Sequence, residues 1–296
     1  MGKNLIALSG IALVALTLPL GFGDTKTPLS QTAQAAQPQS IASGTDLYCA
    51  GYISAEPINT KLQIISGEER TSEVYSPSTR AIYLSQGVKD GVKVGDVYTA
   101  VRPKGKFRNE YSKKSLGHLN QEVGVVRVIA AHESTATAEV VFACEDLKKG
   151  DRLIPFEKRP APQVRTYKPL DRYGDIYGKS GALLGQLVAI RHDQATASER
   201  SIVHLDLGAD DGVKAGDYFT VLTRAEGMTL EKFTSTRSSG AVKVSDEGDK
   251  KSKEMRPLPP RVAGELAVIH VEKKSATAVV TRQVAEIMAG DFVQRQ

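Results

Sequence analysis

Tryptophan is absent, and aromatic residues make up only 6% of the 296 residues. So few flat side chains leave little for the stacking platforms that hold single-stranded nucleic acids. An excess of one charge is missing too. Against 39 Lys and Arg stand 34 Asp and Glu, a net of +5, whereas a nucleic-acid binder clusters basic residues on one face. No nucleic-acid partner is expected. The five histidines, His118, His132, His192, His204 and His270, show no H-x-x-H or H-E-x-x-H spacing, so a zinc site has no local support. His204 and His270 lie inside strand-like patterns and read as structural. Neither a G-x-x-x-x-G-K-[ST] phosphate loop nor a G-x-S-x-G nucleophile elbow occurs. Carboxylates such as Asp210 and Asp211 are neighbours in a turn, which is not the geometry of an acid/base pair. The expectation is a non-enzymatic protein with no cofactor, no metal and no small-molecule substrate.

What is present begins with an export signal. Lys3 precedes the apolar run Leu5–Phe22, and Ala33-Gln34-Ala35 before Ala36 has the A-x-A form of a cleavage site. The run is about long enough to span a bilayer if left uncleaved, but Pro19 and Gly21 break it near its end. The preferred reading is a signal peptide over residues 1–35 and a disordered leader over 36–46. An earlier cut near Phe22–Asp24 and an uncleaved anchor stay open. The chain is expected in the periplasm or attached to the cell envelope.

The rest of the chain repeats itself. D-G-V-K-V-G-D spans Asp90–Asp96 and D-G-V-K-A-G-D spans Asp211–Asp217. Downstream, V-G-V-V-R-V from Val123 answers A-G-E-L-A-V from Ala263. Gly124 and Gly264 are 140 positions apart, as are Gly150-Asp151 and Gly290-Asp291. A constant offset argues duplication. Upstream the match is weaker and pairs Leu47–Ser54 with Ala182–Ile190, setting Gly51 against Gly185. Period-2 runs such as Thr135, Thr137 and Glu139 alternating with Ala136, Ala138 and Val140 mark strands, and turn signals recur at the spacing of small all-β domains. The expected fold is all-β, with two tandem small β-barrels of the SH3-like, six-strand kind. Their bounds are 47–155 and 180–296. The Pro-rich, basic stretch 156–179 reads as a linker.

Each heptad reads as a turn. Asp-Gly tolerates positive φ, the following Val92 or Val213 tucks inward, and Gly95 or Gly216 allows a second bend. Asp96 and Asp217 accept backbone N–H groups across that bend. The structural residues are thus Asp90, Gly91, Gly95 and Asp96, then Asp211, Gly212, Gly216 and Asp217. A calcium loop would need alternating oxygen ligands and a closing Glu, and the heptads lack them.

The D-G-[VI]-K-x-G-D signature, the V-x-V after it and the later Gly-led strand with its G-D ending resemble the C-terminal domain of the flagellar assembly protein T family. They are also similar to small β-barrel repeats in Acidobacteria-type envelope proteins. The matching residues are Asp90, Gly91, Val92, Gly95, Asp96, Gly150 and Asp151, with Asp211, Gly212, Val213, Gly216, Asp217, Gly290 and Asp291. The resemblance implies small β-barrels and a periplasmic assembly role. The longer N-terminal region of the flagellar family has no counterpart here, so its ring function is not carried over.

Two features outside the turns bear on function. Cys49 and Cys144 are the only cysteines, and an even pair in an exported chain suggests a disulfide. The repeat sets them against Leu183 and Val284, both apolar, which places both in a barrel interior. Two separate buried thiols are the alternative. The second feature is a pair of insertions, Arg102–Glu122 and Glu231–Arg261. Neither shows an apolar period, so both are expected to be the least ordered parts of their domains. The first carries Arg102, Lys104, Lys106, Arg108, Lys113 and Lys114, a candidate anion-binding loop on a rigid barrel; a solvated loop without ligand is the plainer reading. The expected role is structural, in assembly or as a scaffold, with envelope proteins as partners. Anionic envelope polymers are the alternative partner.

Overall fold

Strand pairing dominates the computed structural model. It describes residues 40–42, 44–68, 74–76, 79, 81–166, 169–170, 182–223 and 260–296. The expected signal peptide and most of the second insertion lie outside the described residues. The N-terminal half contains β1 (Tyr52–Ser54), β2 (Ile64–Gly67), β3 (Val74–Tyr75), β4 (Ile82–Leu84), β5 (Val97–Arg108), β6 (Ser115–Ala131), β7 (Ala136–Ala143), β8 (Leu147–Lys148) and β9 (Arg152–Pro155). The C-terminal half contains β10 (Leu184–Ile190), β11 (Thr196–Ala197), β12 (Ile202–Leu205), β13 (Tyr218–Leu222), β14 (Val262–Val271), β15 (Ala276–Gln283), β16 (Ile287–Met288) and β17 (Phe292–Arg295).

The all-β class holds. The C-terminal half is a closed barrel in the order β10-β12-β15-β14-β13-β17. In the N-terminal half β2-β4-β7-β6-β5-β9 follow the same order as an open sheet, to which β1 adds on β6. Its two end strands meet only at the bridge Gln63↔Arg152 and a few backbone bonds, such as Gly150 N–H to Ile64 C=O at 2.8 Å. The expected pair of closed barrels is therefore one barrel and one nearly closed sheet. The strand order also corrects the upstream match. The position of β10 is taken by β2, not by the run around Gly51.

Alternation builds both interiors, because successive strand residues point to opposite faces. Ile82, Leu84, Ala136, Ala138, Val126 and Val128 share one buried cluster. Val203, Leu205, Ala276, Ala278, Leu266 and Val268 share the other. The heptads join β4 to β5 and β12 to β13. Each opens with a short 3-10 turn, Val88–Asp90 or Ala209–Asp211. Asp90 and Asp211 accept the N–H of Gly87 and Gly208 at 3.1 and 2.9 Å, and Asp96 and Asp217 accept those of Lys93 and Lys214 at 2.9 and 3.0 Å. Gly91 and Gly212 have φ of 89° and 74°, Gly95 and Gly216 φ of 92° and 91°, a region that glycine enters without steric cost. Val92 and Val213 are buried beneath.

Two segments expected to lie outside the barrels, the leader and the linker, are packed. The end of the leader and the first two residues of the expected first barrel form a short helix, α1 (Gly44–Tyr48). Ala42, Leu47 and Ala50 are buried against Ile202, Ala267, Ile269 and Val279 on the outside of the barrel. In the linker, Arg159 and Arg165 make buried ion pairs, described below. Residues 38–296 consequently cluster as one compact body.

The disulfide Cys49–Cys144 is present, with Cα atoms 5.6 Å apart. Its location differs from the expectation. Val284, the counterpart of Cys144, is 44% exposed, and Cys49 follows α1 instead of lying on a barrel strand. The bridge ties the end of the leader helix to the turn after β7, outside either core.

Candidate functional site

The first insertion is a β-hairpin. β5 and β6 stay paired from Val97↔Arg127 out to Arg108↔Ser115, with bulges at Val123, Lys104 and Leu116. Beyond the sheet, β1 joins β6 through Tyr52↔Asn120, Ile53↔Leu119 and Ser54↔His118. The result is a three-stranded flap, β5-β6-β1. Ile53 and Leu116, with Phe107 and Leu119 beside them, pack it onto Val188 of β10. The expectation that this insertion is poorly ordered is thus corrected: apolar residues on one face seat it on the barrel. The second insertion lies almost wholly outside the described residues.

The tip of the hairpin is anchored. Asn109 is fully buried. Its Nδ2 donates to Gln186 Oε1 at 3.1 Å and to Asp206 Oδ2 at 3.0 Å. Its Oδ1 accepts the N–H groups of Tyr111 and Ser112 at 2.8 and 3.2 Å, which shapes the tip turn. The Tyr111 hydroxyl donates to the Ala289 carbonyl at 2.7 Å. Burial pushes the Asp206 carboxyl up, against the lowering effect of the Gln186 N–H, Lys114 and Asn109.

The six cations of the candidate anion loop divide by this geometry. Arg102 is consumed at the base of the flap. Its Nε and Nη2 donate to both oxygens of Asp151 at 2.9 and 2.8 Å, and Nη2 also to the Asp146 carbonyl at 2.9 Å. Lys113 sits in the tip turn with φ 61°, and Lys114 Nζ donates to the Asp206 carbonyl at 3.4 Å. Lys104, Lys106 and Arg108 are exposed on β5 and form no ion pair among the described residues.

Two arginines of the linker brace the halves. Arg159 forks onto Glu122, with Nη2 to Oε1 at 2.6 Å and Nη1 to Oε2 at 3.1 Å, and also donates to the Leu47 carbonyl at 2.7 Å. The Glu122 side chain is 1% exposed. Arg165 pairs with Glu265 and lies 3.9 Å over the Tyr218 ring. Burial works against the Glu265 charge, but hydrogen bonds from Arg282, Thr281 and Gln296, with the charge of Arg165, hold its carboxyl below the usual range.

Where β1 meets the barrel, Thr277 Oγ1 donates to the Gly51 carbonyl at 3.1 Å and Ser275 Oγ to the Ile53 carbonyl at 2.7 Å. His204 is buried beneath this contact, 3.1 Å from Thr277 Oγ1. Burial, with His270 beside it, pushes the His204 imidazole down to about 4. It is therefore a neutral, structural histidine at ordinary pH. Asn109, Glu122, Arg159, Arg165, Asp206 and Glu265 escaped sequence reasoning. One signal was readable: Glu122 and Glu265 are acids within strand patterns, two residues before Gly124 and directly after Gly264.

Among the described residues no group of three His, Cys, Asp or Glu is placed to hold a metal ion, and no helix is long and apolar enough to cross a membrane. One open groove is lined by Arg102, Cys144, Glu145, Asp146 and Lys148. A narrower one, between leader, linker and barrel, is lined by Ile41, Val164, Arg165, Tyr218, Val279 and Arg282. No protein-family model matches the chain, and no curated protein matches it.

Proposed function

We propose that the chain is a non-catalytic scaffold of the cell envelope, exported by its N-terminal segment and engaging envelope proteins. One observation carries this reading. The buried carboxylates of the described residues, Glu122, Asp151, Asp206, Glu265 and Asp291, are all engaged by ion pairs or hydrogen bonds within the fold. Glu122 and Glu265 hold the linker arginines, Asp151 holds Arg102, and Asp206 receives the hairpin tip. Asp291 caps the Met288 N–H at 2.8 Å. A buried acid engaged in this way stiffens a framework. The resemblance of the turn residues to the flagellar assembly protein T family supports the same setting, and the matching strand order supports origin by duplication.

The test is fractionation of cells expressing the tagged chain, with in-cell photo-cross-linking from position 106 and, as control, position 132. The reading expects a processed chain in the envelope fraction and protein adducts from position 106. A chain that stays in the cytoplasm, unprocessed, contradicts it. A second reading, binding of anionic envelope polysaccharide, is favoured by the exposed cations Lys104, Lys106 and Arg108, which form no ion pair among the described residues; co-sedimentation with purified cell wall that is lost in the Lys104→Ala, Lys106→Ala variant tests it.

A further inference from the structure

The two edges of the flap are treated differently. At the β1 edge, the Gly51 and Ile53 carbonyls are capped by Thr277 and Ser275 of the barrel. At the β5 edge, pairing with β9 stops at Val101↔Arg152. From Arg102 to Arg108, β5 pairs only with β6 among the described residues. That stretch carries Lys104, Lys106 and Arg108, all exposed. Its base is fixed by the Arg102–Asp151 fork and its tip by Asn109, so this edge is anchored at both ends.

We infer that this edge is a docking site for an extended acidic segment of a partner protein, added as a further strand beside β5. The inference rests on the scaffold reading and names the kind of partner. A free strand edge offers a row of N–H and C=O groups to any extended chain. Charge then selects among candidates. A second copy of the same cationic edge is repelled, as Lys-bearing edges are in general, and a strand with Glu or Asp at alternate positions meets Lys104, Lys106 and Arg108 with opposite sign. Pro103 and the bulge at Lys104 limit the pairing to the outer part, around Gly105–Arg108, a stretch of ordinary length for added-strand recognition.

The experiment uses the full processed chain and a short capped peptide alternating Glu and Val, followed by amide hydrogen exchange. The expected result is slowed exchange at residues 105–108, weakening with salt. It is lost for the same peptide N-methylated on alternate amides, and weakened roughly tenfold by Lys104→Glu with Lys106→Glu; an unchanged melting temperature of that variant shows that it is folded. Equal binding of the N-methylated peptide overturns the inference, as does equal protection by polygalacturonate, since either makes the surface a plain polyanion site. No protection at all also overturns it and leaves the cations as a guard against self-pairing. None of these failures moves the chain out of the envelope fraction, so the scaffold reading stands or falls separately.

Discussion

β7 and β15 occupy the same place in their sheets and share an inner face, yet their outer faces are opposites. On β7 Glu139 stands across from Arg127, and the two form an exposed ion pair. On β15 Val279 stands across from Ala267, and both are buried under the leader with Ile269 and Ile202. Ile129, the counterpart of Ile269, is 44% exposed, whereas Ile269 is 2% exposed. One sheet therefore meets solvent on its outside and the other meets its own chain. The difference teaches what seats a neighbour on a sheet: a charged cross-strand pair leaves the face to solvent, and an apolar pair in the same place is covered by a segment from elsewhere.

The comparison can be broken first at the tether. Cys49→Ser with Cys144→Ser frees the end of the leader from β7. In the chain-entropy model a closed loop of this size contributes about 4–5 kcal/mol, and denaturant unfolding measures the loss. Proteolysis should then reach residues 40–50 before any strand of the first sheet. Next comes the brace on Glu122. Arg159→Ala leaves a buried carboxylate without its partner, which costs about 3–5 kcal/mol, read by the same unfolding curves.

A pH titration sharpens the contrast, because His204 underlies the covered face and Tyr83 holds the corresponding place in the first sheet. The folded-state imidazole is depressed to about 4 from 6.5. Between those values the unfolded chain binds more protons, so stability is fully present above about 6.5 and falls as pH drops toward 4, by roughly 3 kcal/mol. The raised Asp206 works in the opposite sense, since protonation relieves its burial. The difference between the wild type and His204→Asn isolates the histidine; equal pH profiles contradict its assignment. The smallest effect belongs to the open face. Arg127→Ala removes an exposed pair and costs about 1 kcal/mol or less. Arg127→Ala with Glu139→Val gives the first sheet the apolar exterior of the barrel without a cover, and light scattering should show self-association.

Much of this architecture was legible before the structure. The heptads, the G-D turns and the alternation in β7 and β15 are local, and each turn residue acts on groups within three positions. What escaped is non-local. The run Leu47–Ser54 is apolar because Leu47 and Ala50 pack on the far barrel and Ile53, within the flap, packs on Val188; that made it resemble a barrel strand and hid β2. The spacing Arg102, Lys104, Lys106, Arg108 has the period of two that marks a strand, but cations at every second place look like a solvated loop. Asn109, Asp206 and Gln186 meet across long separations in sequence, and nothing in their local pattern announces the junction. The disulfide followed from the even pair of cysteines, whereas its location did not, because Cys144 lies in a turn outside the core.

Leader, linker and hairpin brace the open sheet and the closed barrel into a single unit, and differential scanning calorimetry of the oxidised chain reads that bracing. Bracing predicts one transition whose calorimetric and van't Hoff enthalpies agree. Two resolved transitions, one for each half, would contradict it.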